Sequence, residues 1–86
     1  MAEFTKEVTP DNSPVTDETV ENGDQTIRDK GKTDNITVGM SGYQKVYSGG
    51  TANSTTIENG GKQIVYYGGT ATGTTIKSGG KLDIFW

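Results

Sequence analysis

The chain has 86 residues, 29% of them hydrophobic, with 13 glycines, two prolines, no cysteine and no histidine. That length allows one domain, and so lean an apolar fraction suits a thin stack of sheet better than a compact globule. A formal charge of −3 without clustered Lys and Arg excludes a nucleic-acid face, and no apolar run is long enough to span a membrane.

Residues 1–18 hold both prolines, Pro10 and Pro14, and no glycine. Their apolar residues, Phe4, Val8 and Val15, follow neither a strand nor a helix rhythm, so the segment reads as a polar leader, disordered or a loose cap over the first rung. Most of the acid lies in the first 34 residues, which carry nine acids against four bases. From Thr19 the composition changes and glycine appears. Thr19-Val20-Glu21-Asn22-Gly23 echoes Thr56-Ile57-Glu58-Asn59-Gly60, with one residue missing between Gly23 and Gln25. The stretch 29–34, Asp-Lys-Gly-Lys-Thr-Asp, stands where later copies have Ser-Gly-Gly-Thr-Ala-Asn. Residues 19–41 are therefore expected to be a degenerate capping rung at the N-terminal end.

Residues 42–86 carry the regular pattern. Gly49-Gly50-Thr51-Ala52 returns as Gly68-Gly69-Thr70-Ala71, and Thr55-Thr56-Ile57 returns as Thr74-Thr75-Ile76, both 19 residues later. A period this short, punctuated by glycine pairs, marks a solenoid coil rather than a globular core. No window has helical periodicity, and the β-branched runs between glycine pairs suit strands. The third copy indicates the inner face, because Leu82 replaces Gln63 and Ile84 replaces Val65. The inward columns are then Gln44, Gln63 and Leu82; Val46, Val65 and Ile84; Val38, Ile57 and Ile76; and Ala52 with Ala71. One rung cannot bury its own apolar residues, so order requires the next rung at about 4.8 Å, with like residues superposed and parallel pairing between them. Gln44 and Gln63 can then bond amide to amide. The expected fold is all-β: a short parallel β-helix of about three 19-residue rungs.

The outer face carries a second column, Tyr47, Tyr66 and Phe85, each 19 apart and followed by Trp86. It is either plain stabilisation by stacked rings or an interaction stripe for a sugar or a protein partner.

The glycine pair, Thr-Ala, Thr-Thr-Ile and Gln-x-Val elements, in that order and at that period, resemble the AIDA-type passenger repeats of self-associating autotransporter adhesins. The diffuse-adherence adhesin and antigen 43 are of this kind. The resemblance covers residues 19–86, most strongly 42–82. It implies a right-handed parallel β-helix displayed on the outer membrane of Gram-negative bacteria. It also implies roles in host-cell adherence, aggregation and biofilm formation, with the host-cell surface or a second copy as partner. Several such adhesins are heptosylated on Ser and Thr by a dedicated heptosyltransferase. Carried onto this chain, the acceptors would be Thr51, Ser54, Thr55, Thr56, Thr70, Thr72, Thr74 and Thr75. Each is equally a strand-forming residue on a solvated face. The small number of rungs, the lack of a signal peptide and translocator barrel, and the end at Asp83-Ile84-Phe85-Trp86 read as a fragment of a passenger, or as an aromatic terminus that docks.

No catalytic set is expected. The commonest general base, histidine, and the thiolate are both missing, and the repeat region holds just Glu58 and Asp83 as acids, so neither an enzyme nor a metal or other cofactor fits. Gly68-Gly69-Thr70-Ala71-Thr72-Gly73 has the spacing of a phosphate loop, but Thr74 stands where the lysine belongs. Beside the adhesin reading stands a second one: a structural unit that oligomerises through the open end of its β-helix, with Ile84, Phe85 and Trp86 as docking surface.

Overall fold

The computed structural model describes residues 4–85. Short runs of β-branched residues between turns make thirteen strands: β1 (Glu7–Val8), β2 (Val15–Thr16), β3 (Thr19–Val20), β4 (Gly23–Ile27), β5 (Lys32–Asp34), β6 (Thr37–Val38), β7 (Gly42–Val46), β8 (Thr51–Asn53), β9 (Thr56–Ile57), β10 (Lys62–Val65), β11 (Thr70–Thr72), β12 (Thr75–Ile76) and β13 (Lys81–Ile84). They form three parallel sheets, β1-β4-β7-β10-β13, β2-β5-β8-β11 and β3-β6-β9-β12. Each strand passes the chain to another sheet and meets its own sheet again one coil later. The result is a three-sided parallel solenoid of four coils, with β13 opening a fifth.

The columns are those the period dictates. Gln25, Gln44, Gln63 and Leu82 pair in register, as do Ile27, Val46, Val65 and Ile84. Val20, Val38, Ile57 and Ile76 make the inner column of the third sheet, and Val15, Thr33, Ala52 and Ala71 that of the second. Within this register the position of Gly23 departs from expectation. It pairs with Gly42, not with the equivalent of Gly60. Val20 pairs with Val38, so the missing residue lies between Val20 and Gly23, opposite the Gly39-Met40-Ser41 turn, where Met40 is exposed. The two glycines of a pair look alike in sequence, and only their environments separate them.

Those environments differ sharply at the corner holding Gly49 and Gly50. Gly49 is left-handed, φ +84°, a conformation a Cβ disfavours. A Cβ on Gly50 would lie 2.6 Å from the carbonyl oxygen of Ile27 in the coil below. The first glycine turns the chain, and the second lets consecutive coils touch. A further corner manages without a pair, using left-handed Asp17, Asn35, Ser54 and Gly73.

The interior is narrow and complete over the lower coils. Val8, Val20, Ile27, Ile36, Val38, Val46, Ala52 and Ile57 are fully buried. Three buried glutamines run through it as a hydrogen-bonded column. The Gln44 amide Nε2 donates to Gln25 Oε1 (3.0 Å), Gln63 Nε2 donates to Gln44 Oε1 (2.7 Å), and Gln25 Nε2 donates to the Thr5 carbonyl (3.1 Å). Among the described residues no buried side-chain polar atom lacks a partner. Toward the last coil the columns continue inward-directed but uncovered. Ala71 and Leu82 are partly buried, while Ile76 and Ile84 are 47% and 54% exposed, so these two are not core residues here.

Residues 4–18 are not a disordered leader. They build the first coil: β1, a 3-10 turn at Pro10–Asn12, and β2, with Val8 and Val15 buried beneath the second coil. Three rungs become four for this reason, and 19–41 is an inner coil instead of the terminal one. The prolines and most of the charges that break the strand rhythm are exposed, so they hide the repeat without preventing it.

Replacing Gln44 by Leu strips partners from Gln25, Gln63 and Thr55. Each buried group left unpaired costs about 1–3 kcal/mol, so three of them predict a loss of about 3–9 kcal/mol in urea unfolding followed by circular dichroism. Replacing Gln25, Gln44 and Gln63 together should cost far less than three times that, since Leu82 already continues the column without an amide.

Candidate functional site

The parallel register also arranges the outer surface, since every outward residue stands over its equivalent one coil away, at about 4.8 Å. On the third sheet this makes a four-membered column of threonines. Thr19 pairs with Thr37, Thr37 with Thr56, and Thr56 with Thr75. On the second sheet two outward columns flank the buried one: Lys32, Thr51 and Thr70 on one side, and Thr16, Asp34, Asn53 and Thr72 on the other.

The eight hydroxyl residues singled out by the repeat do not behave alike. Ser54, Thr70, Thr72 and Thr75 are exposed, and Thr51, Thr56 and Thr74 are half-buried. Thr55 is fully buried, and its hydroxyl donates to Gln44 Oε1 at 3.0 Å, so it presents nothing at the surface. Thr74, one coil later, makes the same bond to Gln63 Oε1 at 3.2 Å. Adjacent residues at the edge of a strand point to opposite sides, so of the pair Thr55-Thr56 one had to face inward. Thr19 and Thr37 stand in the same outward column as Thr56 and Thr75 and are not among the eight. The signal for them was available in their spacing from Thr56, but it lay where the repeat is weakest.

The first sheet carries the aromatic column. The rings of Tyr47 and Tyr66 stack at 4.5 Å between centroids and 5° between planes; Tyr66 and Phe85 stack at 5.5 Å and 16°. Stacking uses the ring faces on one another, which leaves mainly edges to solvent. A sugar would therefore meet the rim of this stripe, whereas sugar-binding aromatics offer a face. Trp86, expected to extend it, lies outside the described residues. Below Tyr47 the column passes to Arg28, whose guanidinium donates to Glu7 at 2.7 Å.

Charged residues on the outside are paired diagonally between coils: Lys45 with Asp24 at 2.9 Å, and Lys62 with Asp83 at 3.0 Å. The hydrogen bond that Lys45 donates to Asp24 raises its pKa above the usual 10.5, against a partial desolvation that would lower it. Exposed pairs of this kind contribute little to stability, although both bridge neighbouring coils. The two acids of the repeat region stand apart, Asp83 on the first sheet and Glu58 just past β9, and each faces a lysine. No group of three or more His, Cys, Asp or Glu side chains that could hold a metal occurs among the described residues. The surface offers regularly spaced hydroxyls, amides and ring edges. Such groups make many weak contacts.

A family model described as the adhesin of the bacterial autotransporter system, probable stalk, matches residues 19–80. Among solved structures, the crystal structure of a TibC-catalyzed hyper-glycosylated TibA fragment matches with a TM-score of 0.77 and 28% identity. The match covers 95% of this chain and 37% of that fragment, so the chain spans little more than a third of its structural relative. No curated protein sequence matches.

Among the described residues Tyr66 is the one ring stacked on both sides. Tyr66→Ala should lower stability by about 1–3 kcal/mol through two lost stacked pairs, each worth about 0.5–1.5 kcal/mol. The near-ultraviolet circular dichroism of the tyrosines should fall with it.

Proposed function

The chain belongs to the AIDA family of bacterial autotransporter adhesins and is a module of such an adhesin, a setting at the cell surface or outside the cell; from that premise we propose that it is a non-enzymatic stalk unit of an outer-membrane passenger. Its outward hydroxyl columns accept O-linked heptose from a heptosyltransferase, and its faces serve adhesion to a host cell or to a second copy.

The observation that carries this reading is the in-register column Thr19, Thr37, Thr56 and Thr75 beside exposed Ser54, Thr70 and Thr72. A rigid solenoid presents these hydroxyls at fixed intervals, so an enzyme that accepts one coil meets the same geometry on the next. The hyper-glycosylated TibA fragment supports it as a relative of the same fold. The missing carboxylate pair and the outward ion pairs favour a structural unit over an enzyme.

A second reading is assembly through the last coil, favoured by the half-exposed side chains of Ile76, Ile84 and Phe85. Ile76 and Ile84 continue the inner columns, and with the outer ring of Phe85 they form a surface suited to another coil. Ile84→Lys would place a charge in that contact, and any association made there should disappear in sedimentation.

Co-expression with a heptosyltransferase of the TibC type tests the first reading. The intact mass should rise in steps of one heptose, and peptide mapping should place the sugar on Ser54, Thr70, Thr72 or the column of Thr19, Thr37, Thr56 and Thr75, with none on Thr55. An unmodified mass, or sugar on Thr55, would contradict it.

A further inference from the structure

The first coil leaves a row of strand peptide groups facing away from the rest of the solenoid, and two residues deal with them. In a parallel ladder alternate residues point their N–H and C=O to opposite neighbours. Lys6 and Val8 face the second coil, whose Thr26 and Arg28 amides donate to their carbonyls at 2.8 and 3.1 Å. Glu7 and Thr9 therefore face outward along the stack, where a preceding coil would sit. There the Asn12 side chain returns to meet them. Its Nδ2 donates to the Glu7 carbonyl at 2.8 Å, and its Oδ1 accepts the Thr9 amide at 2.8 Å. One carboxamide thus makes the donor and acceptor pair that a peptide group of another strand would make. The 3-10 turn at Pro10–Asn12 brings it into place.

The second sheet solves the same problem by omission. Pro14 precedes Val15, which pairs with Thr33, so Pro14 stands under Lys32 and Thr51. At that position in later coils the N–H points to the preceding coil: Thr51 donates to Gly31, and Thr70 to Gly50, both at 3.0 Å. Proline has no N–H to leave unpaired. Exposed Lys6 and Asp11 put charge along the same edge.

We propose that Asn12 and Pro14 form a built-in edge stop, which prevents a strand or coil of another molecule from pairing with the first coil. This is independent of what the outer faces bind. With the stop removed, the same peptide groups would be free to pair with a strand of a second copy.

Two measurements test the stop. Hydrogen exchange of the wild-type chain should show the Thr9 amide protected about tenfold or more over an unstructured peptide. In Asn12→Ala that protection should vanish, while the Val46 amide stays protected. In sedimentation, the Asn12→Ala/Pro14→Ala double variant should form larger assemblies than the wild type at equal concentration. A Thr9 amide that exchanges freely in the wild type would overturn the proposal. So would a folded double variant that sediments like the wild type. If the double variant does not fold, the Thr9 amide in the wild type and in Asn12→Ala decides alone.

Discussion

Parallel pairing of like residues one coil apart is the constraint from which the other features follow. No coil here can cover its own Val and Ile side chains, because each contributes only a few of them to the middle. Covering comes from the next coil, which brings the same residues to the same places. Valine then packs on valine, and glutamine bonds to glutamine, as Gln44 does with Gln25 and Gln63. The buried amides favour one register over its neighbours, since a slip of one residue would turn the glutamines outward and leave their partners unpaired.

Close stacking puts its strongest demand on the corners. Gly50 and Gly69 have no room for a Cβ because the carbonyls of Ile27 and Val46 lie directly below. The turns beside them need left-handed backbone, which glycine supplies in later coils and Lys30 or Ser41 in earlier ones. The earlier coils therefore keep the shape while losing the glycine signature. The repeat fades toward the N-terminus in sequence much more than in structure.

The difference explains what could be read from the residues alone. The Val46 and Val65 column, the glutamine column and the aromatic stack follow from identical residues at a fixed interval, and all three were visible in the sequence. The first coil was hidden because Pro10, Pro14 and its charges serve an edge, where the rules of an inner strand do not hold. Burial of Thr55 was hidden as well. A Thr-Thr pair at a strand edge does not say which hydroxyl turns in, and that was decided by the need of Gln44 Oε1 for a donor. The threonine column was legible in part, since Thr37, Thr56 and Thr75 keep the 19-residue interval, whereas Thr19 depends on a register that shifts by one residue near Gly23.

For an adhesin module the consequence is a surface repeated at the interval of the backbone itself, with hydroxyls on two sides and stacked rings and ion pairs on the third. The most direct test of that stacking is a pair of cysteines in a chain that has none of its own. Thr37 and Thr56 are register partners on the outer face; Thr37 and Thr75 are two coils apart. Residues about 4.8 Å apart lie within the ~4.4–6.8 Å a disulfide spans, and residues about 9.6 Å apart do not. Thr37→Cys with Thr56→Cys should close an intramolecular disulfide quickly under mild oxidation, and Thr37→Cys with Thr75→Cys should stay reduced. The opposite order, or no closure in either, would contradict the account.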